Sequence, residues 1–387
     1  MRRIVLYIGS FKMPDVNAAA TRVLGIGKCL KDLGYEVVFQ GNQFDMERPN
    51  EVCSFSTEGF RYLTRKKWSQ AEYYTSVNYV FETINQLGRE NVSAIIMYHP
   101  PALVALKLIK YCNQCGIKLI TDVTEWYDIK RQLYSGHMWL RATDFYIRMY
   151  YANVKVKNVI AISSYLKNFY DKRGAKTVLV PILEFKKEHV NLKAKTDDVV
   201  RLCYCGSPSK KDLLLPIIKG VEKYIDKDSS KIQVDIIGTS LGEFQQVNDY
   251  SIPECYLNNI TFYGRISHQD AIEHLKNCDF SFIIRPKLKY AIAGFPTKMV
   301  EAFASGVAVI ACSNGDISQY VENGINGFLI DSNNIDKSLE SALDKVFEMP
   351  RGQIDKMKIS AYKTCQKYFD YRKYIDAIGN FMYEDRQ

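Results

Sequence analysis

The stretch Ala293-Gly294-Phe295-Pro296-Thr297-Lys298-Met299-Val300-Glu301-Ala302-Phe303-Ala304-Ser305-Gly306 holds residue types suited to gripping a diphosphate beside a diol. Gly294 lets a backbone come close to a ligand. Pro296 sets φ near a helix start and pushes Phe295 into an extended shape. The spacing then predicts free amides at Thr297, Lys298 and Met299 on a positive helix end, which suits a diphosphate. Glu301 follows about one turn in, and helical side chains lean back toward the N-terminus. One small element thus offers amides to phosphates and a carboxylate to a sugar hydroxyl pair. Gly306 ends the helix, and Val307–Ala311 reads as a buried strand. The bland alternative is an ordinary helix–strand junction of a parallel sheet.

The elements that must carry this stretch alternate along the whole chain. Strands are predicted at Ile4–Ile8, Tyr35–Phe39, Ala94–Tyr98, Lys118–Thr121 and Asn158–Ile162, with helices between them such as Ala18–Leu33 and Ala102–Tyr111. Val178–Pro181 closes this unit, and the polar run 184–199 reads as a linker. A second series follows at Val200–Gly206, Gln233–Gly238, Ile260–Gly264 and Phe280–Ile284. Such a rhythm argues two doubly wound parallel sheets, whose strand ends deliver ligand-binding loops. A last helix spans about Tyr371 to Tyr383.

The 387 residues suffice for two domains, and 47% apolar with 25% charged residues is a globular composition. No apolar run is long enough to span a bilayer, and the run at Ile4–Ile8 is too short for a signal peptide. A cytoplasmic address is expected. The ten cysteines are scattered and read as reduced core residues. Cys112-Asn113-Gln114-Cys115 lacks the second pair or histidines of a zinc site. Asp226-Lys227-Asp228 reads as a solvated loop, not a metal–diphosphate motif.

The net charge of +9 is uneven: residues 1–183 hold 25 Lys and Arg against 15 Asp and Glu, and residues 184–387 hold 27 against 28. A basic first half suits anionic lipid or a polyprenyl-diphosphate acceptor. Nucleic acid ranks last, because no binding motif for it appears. The aromatic and basic segment from Met138 to Tyr151, followed by Lys155 and Lys157, is either an interfacial helix or a core helix with exposed cations.

The 293–306 stretch, and Asn314-Gly315 with Val321 to Ile330 beyond it, resembles the nucleotide-sugar segment of glycosyltransferase family 4. The resemblance covers nearly the whole chain and is specific from about Arg201 to Ile330. It implies an α/β GT-B fold, two facing Rossmann-like domains with parallel sheets and a cleft between them. The domains would be 1–183, with the terminal helix 371–387 crossing back, and 184–370. It also implies retention of anomeric configuration and no metal or other cofactor. The family usually carries two glutamates eight positions apart. Glu301 matches the second, which holds the nucleotide ribose, and Ala293 stands where the first contacts the donor sugar.

By the same resemblance, Gly206-Ser207-Pro208-Ser209-Lys210-Lys211-Asp212 is the diphosphate loop. Ser207 stands at its usual Arg position, and Lys211 best fits its Lys, with Lys210 as the near rival. Arg285 ends a strand and presents a fork suited to phosphate oxygens, so Arg285 and Lys211 are the expected pair on the leaving diphosphate. The alternative for Arg285 is a strand-end salt bridge. Gly264 and Ile266 fall where the base packs, and Gly9 and Ser10 open the glycine loop that approaches diphosphate and acceptor. Asp122 falls in the segment facing the transferred sugar, where a carboxylate orients a hydroxyl or stabilises positive charge. A helix N-cap is its bland alternative, and Glu125 and Asp128 are second choices. His99 reads as structural, and Asn17 and Arg22 carry little specificity.

The expectation is a transferase that moves a sugar from a nucleotide-diphosphate sugar to a glycan or polyprenyl-linked acceptor. Its setting is surface polysaccharide or glycolipid assembly at the inner membrane face, with peripheral contact to anionic lipid. Two alternatives stay open: a non-catalytic subunit of the same fold, motivated by Ala293 and Ser207, and a UDP-sugar epimerase.

Overall fold

The computed structural model describes residues 3–13, 18–49, 51–57, 59–129, 139–184, 196–208 and 212–383. The chain divides into two compact units, Met1–Phe185 with Tyr371–Gln387, and Lys186–Asp370.

The first unit is built on an eight-stranded sheet. Its strands are β1 (Arg3–Gly9), β2 (Tyr35–Gln40), β3 (Ser54–Thr57), β4 (Phe60–Leu63), β5 (Val92–Tyr98), β6 (Lys118–Val123), β7 (Asn158–Ala161) and β8 (Lys176–Leu179). The order is β3-β4-β2-β1-β5-β6-β7-β8, parallel except where β3 runs against β4. Val5, Leu6, Ile95, Ile96 and Ile120 are fully buried, as central strands covered on both faces require. The hairpin β3–β4 was not expected from sequence, because its residues alternate polar and aromatic over only four positions each. The terminal segment Tyr371–Tyr374 is a 3-10 turn leading into the helix Ile375–Tyr383. Ile378, Phe381 and Met382 of that helix join the core under β1 and β2.

The second unit is a six-stranded parallel sheet. Its strands are β9 (Val200–Cys205), β10 (Ile232–Ile237), β11 (Ile260–Gly264), β12 (Phe280–Ile283), β13 (Ala308–Cys312) and β14 (Gly327–Ile330), in the order β11-β10-β9-β12-β13-β14. The jump from β10 over β9 to β12 is a topological switch point, where open α/β sheets bind ligands beyond their strand ends. One local expectation is corrected. Asp226 to Asp228 close the helix Leu215–Asp228 instead of forming a loop, with Asp226 accepting from Tyr256 at 2.9 Å. The segment 321–330, given no element from sequence, ends in the strand β14, which pairs with β13.

Candidate functional site

The helix expected from the glycine–proline turn spans Thr297–Ala304, with Pro296 at its cap. Its apolar residues Met299, Val300, Ala302 and Phe303 are buried, which fixes the opposite face toward the strand ends. Lys298 and Glu301 are the polar residues of that face. The Met299 amide is not free as expected: it donates to the Pro296 carbonyl at 3.0 Å, closing the first turn. That leaves Thr297 and Lys298 at the head of the helix as the amides suited to an anion. Gly294 has φ −80° and ψ 168°, a shape open to any residue. Phe295 turns its ring inward against Tyr320 and Phe369, 5.7 and 5.8 Å away, so it anchors the turn instead of lining a ligand surface.

Lys298 reaches across to the end of β9. Its Nζ lies 2.6 Å from Asp212 Oδ2 and 3.0 Å from the Tyr204 hydroxyl, and sits over the Tyr204 ring. The second oxygen of Asp212 takes Arg285 Nε at 3.1 Å. Two cations therefore converge on one carboxylate just past the C-terminal ends of β9 and β12. Burial would raise the Asp212 pKa, but Lys298 and Arg285 outweigh it and hold the carboxyl below its usual value. Burial pushes the Lys298 pKa down, and Asp212 recovers only part of that loss. Burial is the first cause in both, and we take the pair as charged, because the contact is short and a second cation supports the carboxylate.

Gly206 makes this reach possible. Its φ is +146°, and a Cβ there would collide with the Lys298 side chain. The same backbone shape recurs at Gly9, the end of β1, where a Cβ would strike the Tyr98 carbonyl. Ser10 beside it donates its amide to that carbonyl at 3.1 Å, and its Oγ lies 3.1 Å from the Tyr73 hydroxyl.

Glu301 meets a residue that sequence reasoning missed. His268 Nε2 lies 3.1 Å from Glu301 Oε1, and both side chains stay partly exposed. His268 opens the helix His268–Lys276 behind the cap Ser267, one turn after Gly264 and Ile266. The loop after β11 is thereby tied to the Thr297–Ala304 helix. Asp212 and Tyr204 were missed too. Asp212 directly follows the paired lysines of the loop, a charge alternation that is visible in sequence but not specific. Lys211, the expected partner of Arg285, and its rival Lys210 lie outside the described residues, as does Asn17. Among the described residues, Lys298 takes the place beside Arg285.

Asp122 is a correction. Its side chain is fully buried and neither caps a helix nor faces a ligand surface. Arg22 Nη2 holds it at 2.8 Å, and the Tyr7 hydroxyl donates to it at 2.6 Å. Arg22 also donates to the carbonyls of Val180 and Pro181. The pair ties β6 to the first helix and to the chain leaving β8, and a buried cation of this kind needs all those acceptors. His99 is held as a structural residue, φ +50°, with Nε2 2.6 Å from the Thr124 hydroxyl.

Residues 186–364 match the family model described as glycosyl transferases group 1. An uncharacterized glycosyltransferase of Methanocaldococcus jannaschii is 28% identical over 191 residues, covering 46% of this chain and 46% of that protein, so the match spans less than half of the relative's length. Among solved structures, the sucrose-phosphate synthase of Thermosynechococcus elongatus superposes with a TM-score of 0.72 at 15% identity, over 99% of both chains. The Anabaena protein HepE, solved in complex with UDP, superposes with a TM-score of 0.65 at 14% identity, over 99% of this chain and 100% of that one. Residues 186–364 are thus similar to the group 1 glycosyl transferases, in a chain with the GT-B fold.

Proposed function

We propose that the chain transfers a sugar from a nucleotide-diphosphate sugar, with the donor held beyond the strand ends of the second unit. The observation that carries this reading is the convergence of Lys298 and Arg285 on Asp212 at the head of the Thr297–Ala304 helix. Two fixed cations and two helix-end amides match the charge that a leaving diphosphate gains during transfer. Glu301, one turn along, takes the ribose diol, with His268 holding one carboxylate oxygen. Gly264 and Ile266 line the base. The UDP bound by the Anabaena protein makes uridine the first base to test. The two cations supply the charge stabilisation that a metal supplies elsewhere.

The finer reading follows the resemblance. The reaction retains configuration, and the acceptor is a glycan or a polyprenyl-linked sugar received by the first unit near Gly9 and Ser10. Surface polysaccharide or glycolipid assembly at the inner membrane face is the setting. Exposed Trp139, Leu140, Tyr146 and Tyr151, interleaved with exposed Arg141, Lys155 and Lys157, support peripheral contact with a lipid surface. No helix among the described residues is long and apolar enough to cross a membrane.

The test is a screen of nucleotide sugars by thermal shift, because a ligand of the folded state raises its melting temperature. A positive donor is then incubated with and without glycan acceptors. Transfer that requires acceptor supports the reading. Donor turnover to an epimer without acceptor, or no donor stabilising the protein, overturns it.

A further inference from the structure

Arg65 follows β4 and shares the C-terminal edge of the first sheet with Gly9 and Ser10, since β4, β2 and β1 are parallel neighbours. Its guanidinium carbon lies 3.6 Å from the centre of the Trp68 ring. Trp68 packs in turn on Tyr79 and Tyr73, with ring centres 4.6 and 6.2 Å away. The Tyr73 hydroxyl reaches Ser10 Oγ at 3.1 Å, so the aromatic group joins Arg65 to the glycine loop.

Arg65 has no acidic partner among the described residues. Among the described residues the acids nearest in sequence are engaged elsewhere: Glu72 closes the capping box on Ser69, Glu51 sits 3.7 Å from Arg48, and Glu82 sits 3.7 Å from Lys66. Burial pushes the Arg65 pKa down to about 10, and the groups acting against that are the Tyr79 and Tyr73 hydroxyls, not a carboxylate. It remains charged at neutral pH. A half-buried cation lying on an indole face keeps its in-plane N–H donors for something else. By contrast, buried Arg22, buried Arg148 on the helix Trp139–Ile147 and its continuation, and half-buried Arg285 each have a carboxylate within 3.2 Å: Asp122, Asp144 and Asp212. Desolvating a guanidinium without an anion costs free energy that a partner must offset.

We propose that Arg65, Trp68 and Tyr73 form a receptor for an oxyanion carried by the acceptor, with the guanidinium edge binding the anion and the aromatic rings packing on the group that bears it. The assignment rests on the first unit being the acceptor side. A lipid-linked phosphate and an acidic sugar share the required chemistry.

The experiment uses the full chain. Farnesyl phosphate and glucuronate are titrated by calorimetry, with farnesol and glucose as uncharged controls, and UDP is titrated into the same preparations. Wild type is expected to bind one of the two anions and not its control, which names the source. Arg65→Gln is expected to weaken that binding by about tenfold or more, since a charge-assisted bond is lost, and to leave UDP affinity unchanged. Arg65→Lys retains part of the affinity and serves if Arg65→Gln does not fold. Equal binding by wild type and variants, or no binding of either anion by wild type, overturns the proposal. Absence of UDP binding would strike the donor-site reading instead, and the anion titrations would still decide the role of Arg65.

Discussion

Lys298 and Arg285, thirteen positions apart in sequence, sit on opposite oxygens of a single carboxylate, Asp212, at 2.6 and 3.1 Å. Both cations are held by the same carboxylate, so on the reading proposed above the charge for a diphosphate is positioned before any ligand arrives. Such positioning is worth most in the transition state, where charge on the leaving group is greatest.

The lysine sets an alkaline limit. Its pKa is lowered by burial, so it loses its proton at a lower pH than an ordinary lysine. If the charged form binds the diphosphate, as proposed, affinity is present below the folded pKa and falls as pH rises through it. Titration of UDP across alkaline pH is expected to show this loss earlier than an ordinary lysine would, and Lys298→Arg is expected to abolish it. A flat profile for the native protein removes Lys298 from the phosphate site.

Arg285→Ala is expected to lower kcat more than it raises the donor KM, by roughly one to two orders of magnitude for a lost charge-assisted contact. Arg285→Lys recovers only part, because a point charge cannot reproduce the fork. Steady-state kinetics decides it. Near-native kcat in Arg285→Ala leaves Arg285 as the salt-bridge partner of Asp212 and nothing more.

Glu301→Gln is expected to weaken nucleotide binding by about tenfold without unfolding the protein, since an amide replaces one of the two acceptors a diol needs. His268→Ala, which frees the Glu301 oxygen now held at 3.1 Å, has a smaller effect. Calorimetry on the folded variants checks both, and unchanged affinity for every nucleoside diphosphate would falsify the ribose role.

Asp122→Asn is expected to destabilise the first unit by about 3 kcal/mol, because it strands the buried Arg22 charge. Chemical denaturation measures this. If the variant keeps native stability and loses only activity, Asp122 belongs to the chemistry after all.

Vesicles test the lipid contact. Co-sedimentation is expected with acidic vesicles, to fall with added salt, and to drop when Trp139 and Leu140 are both replaced by Ser. Binding to neutral vesicles at high salt, or none to acidic ones, counts against it.

The parallel strands and the Thr297–Ala304 helix were legible because each carries a local signal: short, mostly apolar runs for β5, β12 and β13, and a proline and glycines bounding the helix. The partners within the site were not. Asp212 meets Lys298 across 86 positions and Tyr7 meets Asp122 across 115, and pairings at such separations leave no period or motif in one sequence. Asp122 shows the cost. A carboxylate at a strand end looks the same in sequence whether it faces a ligand or a buried arginine. The hairpin β3–β4 was missed because four-residue strands with polar alternation fall below what periodicity resolves.

The helix Ile375–Tyr383 has a consequence for biogenesis. It fills the core under β1 and β2, its Phe381 carbonyl accepts from Lys118 at 2.8 Å, and the Tyr371 carbonyl before it takes the Cys29 thiol at 3.2 Å. During synthesis the first unit emerges well before this segment, and the whole of 186–370 is made in between. The first unit must therefore wait, with apolar surface uncovered, for a segment made only after the second unit. A ribosome stalled or a frame lost late in the message would release a chain whose second unit is intact and whose first is unsealed, a natural client for chaperones and proteases.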